Sequence, residues 1–154
     1  MEDSAFREAR RELAGLTAGL EKKVLAWLAA RMPAWVGSDH LTALGLLATL
    51  LGGAFYALSG HDPRCLHLVN LCLAVNWFGD SLDGTLARHR RRQRPRYGFY
   101  VDHMVDALGA LFILGGLALS GHMGAGVVAA FLIAYYLLCI HIYLILRDCA
   151  RINY

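Results

Sequence analysis

The feature that most constrains this chain is a set of long apolar stretches without Asp, Glu, Lys or Arg. Residues 41–60 form one such run of 20 residues, and residues 123–146 form another of 24. About 20 apolar residues in a helix suffice to cross the hydrocarbon core of a bilayer. At 57% hydrophobic content over 154 residues, the chain is too apolar for an ordinary soluble fold. We therefore expect an all-α integral membrane bundle that forms a single domain over residues 1–154.

Four membrane-spanning helices are predicted. They cover about 41–60, 65–87, 97–120 and 123–146. Ser38-Asp39 supplies helix-start chemistry before the first span, and short polar turns or an arginine-rich loop separate the others. No signal peptide is expected, because the first long apolar run begins only at Leu41.

Residues 4–32 are predicted to form an amphipathic helix in the lipid headgroup layer. Apolar side chains recur there at steps of three and four, at Leu20, Val24, Trp27, Leu28 and Met32. Tryptophan and a basic flank are typical of the membrane boundary. A helix that packs on the rest of the protein is the alternative.

The distribution of positive charge predicts the orientation in the membrane. Residues 1–40 contain six Lys and Arg, residues 88–96 contain six more, and residues 147–154 contain two, whereas the first outer turn has only Arg64. Cytoplasmic loops carry the excess of Lys and Arg. We therefore expect both termini and the arginine-rich loop on the cytoplasmic side.

Four carboxylates interrupt the apolar helices on either side of that loop. Asp80 and Asp83 stand near the end of the second predicted span, and Asp102 and Asp106 near the start of the third. Each pair shares a helix face, since its members are three or four residues apart. Two helices joined by residues 88–97 lie antiparallel, so the two pairs can meet at one depth. Four carboxylates would repel unless cations lay between them, and such oxygen ligands suit Mg²⁺ or Mn²⁺.

The same segment carries an eight-residue pattern of charged and small side chains. Its members are Asp80, Asp83, Gly84, Ala87, Arg88, Gly98, Asp102 and Asp106. This pattern closely resembles the signature of the CDP-alcohol phosphotransferases, also called CDP-alcohol phosphatidyltransferases, which are integral membrane enzymes of phospholipid synthesis. All eight signature positions are filled. The nine residues between Arg88 and Gly98 make the gap one longer than is common in that family.

The resemblance implies a reaction and a role for each residue. A CDP-linked donor, CDP-diacylglycerol above all, would transfer its phosphatidyl or other substituted phosphate group to an acceptor alcohol, with release of CMP. Asp80, Asp83 and Asp102 would bind two Mg²⁺ or Mn²⁺ ions. Asp106 would share in the second ion and act as the catalytic base. The nucleotide would contact Asp83, Gly84, Ala87, Arg88 and Gly98.

Four further positions near the carboxylates have two interpretations each. The arginines of the loop fit a topogenic role, but arginine also binds phosphate bidentately, which makes Arg91 and Arg94 candidate contacts for phosphate or acceptor. His103 could contact the acceptor or pack against a neighbouring span. Asn76 could line the site or form an interhelical hydrogen bond.

The resemblance also implies partners. Family members resemble six-span bundles that pair as homodimers, so the four predicted spans favour truncation over a shortened relative whose dimer supplies the missing wall. We expect a CDP-linked lipid donor, a small acceptor alcohol, membrane lipids and a second copy of the chain, but no nucleic acid. The identity of the acceptor stays open, and so does whether the donor carries the lipid or the polar head group.

Two other classes of function fit intramembrane carboxylates. They mark proton- and cation-conducting bundles, although such a relay needs no Gly84, Ala87 and Arg88 beside its acids. A non-catalytic membrane scaffold would leave four desolvated carboxylates without compensation. A phosphotransferase is the favoured function, and a small ion- or proton-conducting bundle is the alternative.

Overall fold

The structure, a computed structural model, describes residues 18–152 and the side-chain surroundings of residues 19–145. It contains the helices α1 (Ala18–Arg31), α2 (Ser38–Ser59), α3 (Cys65–His89), α4 (Pro95–Ser120) and α5 (Ala125–Ile152). No strand occurs in this described part of the chain, so the all-helical prediction is confirmed there. Residues 4–17 of the predicted N-terminal helix lie outside it.

Among the described residues, three helices are long and apolar enough to cross a membrane. They are α2, α4 and the part of α5 from Ala125 to Ile145. The predicted count of four spans is not confirmed, because α3 is absent from this set. Two asparagines, Asn70 and Asn76, and the carboxylates of Asp80 and Asp83 dilute its apolar character.

The helix α2 is central and packs against α3 in an antiparallel arrangement. Near one end, a Cβ atom on Gly79 of α3 would lie 2.7 Å from the Leu41 carbonyl oxygen of α2. A Cβ atom on Gly45 would lie 3.2 Å from Oδ1 of Asn76. As positions rise along α2 they fall along α3, so the end of α3 that carries the carboxylates faces the start of α2.

On its other side α2 packs against α4, and these two helices run parallel. Thr49 lies beside Gly109, and Gly53 lies beside Gly116 so closely that a Cβ atom on Gly116 would meet the Gly53 carbonyl oxygen at 2.0 Å. Positions in contact thus differ by about 60. This register brings Asp102 of α4 level with the first turns of α2.

The helix α1 packs against the C-terminal half of α3. Leu25 and Ala29 are buried there with Leu82 and Leu86 of α3. The predicted apolar face is therefore divided: Leu28 and Met32 join this core, whereas Leu20, Val24 and Trp27 are exposed on another side of the helix. The sequence pattern missed the division because α1 is apolar on more than one side. Its amphipathic, interfacial character is not confirmed.

The Arg90 side chain at the end of α3 forms hydrogen bonds with the segment between α1 and α2. The Arg90 guanidinium donates hydrogen bonds to the carbonyl oxygens of Met32 at 3.0 Å and Pro33 at 2.8 Å. It also donates to the carbonyls of Ala34 and Val36. This arginine of the basic loop therefore has a structural role, since it supplies donors to backbone acceptors that follow the end of α1.

Helix ends depart from the predicted bounds by a few residues. The N-cap of α2 is Gly37, one residue before the predicted Ser38-Asp39, and Nδ1 of His40 accepts a hydrogen bond from the Gly37 N–H at 3.0 Å. Pro95 begins α4, because proline needs no N–H partner in the first turn of a helix.

Candidate active site

One cavity lies where the start of α2, the end of α3 and the start of α4 meet. Its lining consists of Thr42, Gly45, Asn76, Asp80, Asp83, Asp102, Val105 and Asp106. The helical spacing predicted that the two carboxylate pairs would converge, and all four aspartates line this cavity. Asn76 lies in the lining as well, as one of its two interpretations predicted.

The aspartates differ in their surroundings. Asp83 is buried, with 7% of its surface exposed, whereas Asp80, Asp102 and Asp106 are exposed. One carboxylate oxygen of Asp83, Oδ2, accepts a hydrogen bond from the Thr42 hydroxyl at 2.7 Å. The other, Oδ1, contacts the N–H of Gly84. Both oxygens of the buried carboxylate are thus held by donors from two helices.

The cavity concentrates negative charge. The carboxylates of Asp102 and Asp80 both act electrostatically on Asp83. Within the part of the chain that the structure describes, however, no three His, Cys, Asp or Glu side chains approach closely enough to hold a metal ion.

Of the predicted nucleotide contacts, Asp83 is in the cavity lining, whereas Gly84, Ala87, Arg88 and Gly98 are not. Among the described residues, a Cβ atom at Gly84 would meet only the Arg88 guanidinium, 3.5 Å away, and one at Gly98 would meet nothing within 4 Å. Protein packing therefore explains neither glycine, in contrast to Gly79. Arg88 is exposed and contacts Oγ1 of Thr85 at 3.3 Å. Ala87, one residue before it, is half-buried.

The candidate phosphate-binding arginines are on the loop, outside the cavity lining. Arg91 is exposed and takes a positive φ of 54° at the turn after α3. Arg94 pairs with Asp39 of α2, and its Nη2 lies 2.6 and 2.7 Å from the two carboxylate oxygens. This hydrogen bond raises the pKa of the Arg94 guanidinium. The pair joins the starts of α2 and α4.

His103 is held against its own helix. Its Nδ1 lies 2.8 Å from the Phe99 carbonyl oxygen, and the two rings are 4.1 Å apart between centroids. The side chain is not part of the cavity lining. These contacts lie within α4, so both interpretations of His103, contact with the acceptor and packing against a neighbouring span, stay predictions.

Comparison with known proteins identifies the family. A family model described as CDP-alcohol phosphatidyltransferase matches residues 35–153. The chain belongs to this family. The match includes every residue of the cavity lining and the whole eight-residue signature.

Two relatives with different names are similar to this chain. It is 36% identical over 83 residues to an archaetidylinositol phosphate synthase of Pyrococcus horikoshii, an alignment that covers 54% of this chain and 41% of that protein. It is 33% identical over 123 residues to a CDP-diacylglycerol–serine O-phosphatidyltransferase of Encephalitozoon cuniculi, which covers 77% of this chain and 31% of that protein. The chain therefore spans less than half the length of either relative. No solved structure matches it significantly.

Sequence reasoning missed the contribution of α2 to the site. Thr42 and Gly45 line the cavity, but they stand in the uncharged run and have no acidic or basic character. The available signal was a hydroxyl residue one turn after Asp39 at the predicted cytoplasmic end of a span. Nothing in the sequence distinguished Arg90 from the other arginines of its loop.

Proposed function

We propose that this chain carries the catalytic site of a membrane phosphatidyltransferase. It would move a phosphatidyl, or other substituted phosphate, group from a CDP-linked donor to an acceptor alcohol and release CMP. CDP-diacylglycerol is the proposed donor, in keeping with the name of the Encephalitozoon relative. The observation that carries the proposal is the convergence of Asp80, Asp83, Asp102 and Asp106 on one cavity in a member of this family.

The donor set in the cavity fits divalent cations. Carboxylate oxygens are hard ligands of the kind that Mg²⁺ and Mn²⁺ prefer, and four of them line one site. Asp80, Asp83 and Asp102 would bind two such ions, with Asp106 sharing in the second. When bound, the cations would neutralise the charge of the donor's pyrophosphate. Family members in general depend on divalent cations, and the identity of the metal is part of the proposal.

Asp106 is the proposed general base. It is exposed, lies in the cavity lining and stands one turn beyond Asp102 on the same helix. The acceptor oxygen forms a bond to the phosphorus of the phosphatidyl group while the bond from that phosphorus to the CMP oxygen breaks. The proton leaves the acceptor hydroxyl for the Asp106 carboxylate, which must lie within hydrogen-bond reach of it.

The nucleotide is proposed to lie along the last turns of α3. Gly84 has no side chain, so a ligand can approach the backbone there. The neighbouring Arg88 guanidinium supplies a positive charge that can bind phosphate. Asp83, Ala87 and Gly98 complete the proposed contact set. Arg91 and Arg94 are kept as candidate contacts for phosphate or acceptor, and Arg94 would first have to leave Asp39. His103 is likewise kept as a candidate contact for the acceptor.

The parallel arrangement of α2 and α4 supports a fourth membrane crossing. If both helices cross in the same direction, the chain must return between them, and α3 is the segment that does so. At about 1.5 Å per residue, the 25 residues of α3 span the roughly 30 Å hydrocarbon core. The six arginines of residues 88–96 favour the cytoplasmic side for the cavity and the N-terminus.

The membrane setting of α1, the single domain and the oligomeric state are also proposed. The exposed Leu20, Val24 and Trp27 of α1 suit a helix that packs on α3 and meets the headgroup layer with its other side. A single domain over residues 1–154 and a homodimer are kept as predictions. Membership of a transferase family leaves the ion-conducting alternative without a supporting observation.

The direct test is CMP release from CDP-diacylglycerol by purified protein with Mg²⁺ or Mn²⁺. The acceptor panel contains inositol phosphate and serine, after the names of the two relatives, together with inositol, glycerol phosphate and an amino alcohol. We expect release that needs both a metal and one acceptor. Release that continues in excess chelator, or no release with any acceptor when the protein binds neither Mn²⁺ nor the CDP-lipid, would contradict the proposal.

A further inference from the structure

Thr42 of α2 contacts the buried carboxylate of the cavity from across the helix interface. Its hydroxyl lies 2.7 Å from Oδ2 of Asp83, although the two residues are 41 positions apart in the chain. An ionised carboxylate only accepts hydrogen bonds, so Thr42 is the donor. The Thr42 hydroxyl also lies 3.2 Å from the Ser38 carbonyl oxygen. The contact to the carboxylate is shorter and charge-assisted, so it is the stronger of the two.

The position of Asp83 makes this contact consequential. Asp83 is the buried member of the four aspartates, and the charges of Asp102 and Asp80 act on it. A buried carboxylate is costly unless it is hydrogen-bonded, so the donors that reach it favour the orientation in which both oxygens are bonded. Thr42 holds Oδ2, and the N–H of Gly84 contacts Oδ1. The orientation of this carboxylate is thus set in part by a different helix.

We propose that Thr42 is a positioning residue, which orients Asp83 for divalent cations. The inference rests on the proposed function, since it concerns the same site. Hydrogen bonds to a ligating carboxylate fix its direction, and their removal typically lowers metal affinity by about 10- to 100-fold. Thr42 acts through Asp83 and touches no reacting atom in this role. It also couples the position of α2 to the geometry of the carboxylates on α3.

Two substitutions at Thr42 and one control substitution test whether the hydroxyl group or the shape of the Thr42 side chain matters. Thr42→Val keeps the branched shape and removes the donor, and Thr42→Ser keeps the donor and removes a methyl group. Thr49→Val is the matched control: Thr49 lies two turns further along α2, is buried, and donates to the Leu46 carbonyl oxygen of its own helix at 2.9 Å. This control removes a hydroxyl from the same helix without altering a carboxylate contact.

The readout is the affinity for Mn²⁺, measured by electron paramagnetic resonance on the full chain in detergent. Far-UV circular dichroism and thermal unfolding without metal check that each variant is folded at the temperature of the titration. We expect Thr42→Val to bind Mn²⁺ about 10- to 100-fold more weakly, Thr42→Ser to stay within a few-fold of the unsubstituted protein, and Thr49→Val to be unchanged. If Thr42→Val does not fold, Thr42→Ala takes its place.

Several results would overturn the positioning role. They are unchanged affinity in Thr42→Val, equal losses in Thr42→Val and Thr42→Ser, or an equal loss in Thr49→Val. A double variant adds a second criterion: in an Asp83→Asn background, Thr42→Val should weaken Mn²⁺ binding no further, because its effect passes through Asp83. Absence of Mn²⁺ binding by the unsubstituted protein would overturn both this inference and the metal-dependent function. Normal Mn²⁺ binding and CMP release with an unaffected Thr42→Val would overturn the inference alone.

Discussion

The contact between Gly53 and Gly116 allows a quantitative test of how α2 and α4 are held together. A Cβ atom on Gly116 would lie 2.0 Å from the Gly53 carbonyl oxygen, whereas real Cβ atoms essentially never approach a heavy atom within 3.0 Å. Gly116→Ala therefore forces the two backbones apart by 1.0 Å or more. The position of the alanine Cβ is fixed by its own backbone and its partner is a backbone oxygen, so no side-chain rotation relieves the clash.

Overpacking of this kind typically costs about 1–3 kcal/mol, and alanine offsets up to about 1 kcal/mol through its helix propensity. A net loss of about 1–2 kcal/mol corresponds to a Tm lower by roughly 2–8 °C for a chain of this size. The assay is thermal unfolding in detergent, followed by circular dichroism.

Gly115→Ala is the matched control, because a Cβ atom at Gly115 would meet nothing within 4 Å. It should leave Tm unchanged or raise it slightly. Equal Tm values for Gly116→Ala and Gly115→Ala would refute the close contact between α2 and α4.

Three further predictions concern single side chains. Arg90→Gln should make the segment between α1 and α2 several-fold more sensitive to limited proteolysis, because it removes the guanidinium contacts to Met32 and Pro33. Unchanged cleavage would show that these hydrogen bonds do not hold the segment in place. Asp39→Asn should leave Tm almost unchanged, since its ion pair with Arg94 is more than half exposed and such pairs contribute little; a fall as large as that of Gly116→Ala would contradict this. Asp106→Asn should lower CMP release by about 100-fold or more while Mn²⁺ and CDP binding persist in part, and an unchanged rate would remove Asp106 from the role of base.

The carboxylate site was predictable because it depends on helical spacing. Steps of three and four residues place Asp80 with Asp83 and Asp102 with Asp106, and the short loop between α3 and α4 leaves little choice but an antiparallel pair. The prediction needed no knowledge of other helices, and the four aspartates do line one cavity. The bounds of α2, α3 and α4 also lie within three residues of the predicted spans.

The features that escaped prediction depend on which helices become neighbours. Thr42 acquires its contact with Asp83 only when α2 packs on α3. Arg90 and Arg94 look alike in sequence, yet one binds backbone carbonyls and the other binds Asp39. The division of α1 into a packed and an exposed side follows in the same way from the position of Leu82 and its neighbours on α3.

The stoichiometry and affinity of Mn²⁺ binding test the central claim most directly. We expect two ions per chain in the unsubstituted protein, and weaker or fewer bound ions in Asp80→Asn and Asp102→Asn, which remove one cavity carboxylate from α3 and from α4. Asp62→Asn, in the turn between α2 and α3 at the other end of the bundle, should bind like the unsubstituted protein. No bound Mn²⁺, or equal binding in all four proteins, would contradict the assignment of these aspartates as a cation site.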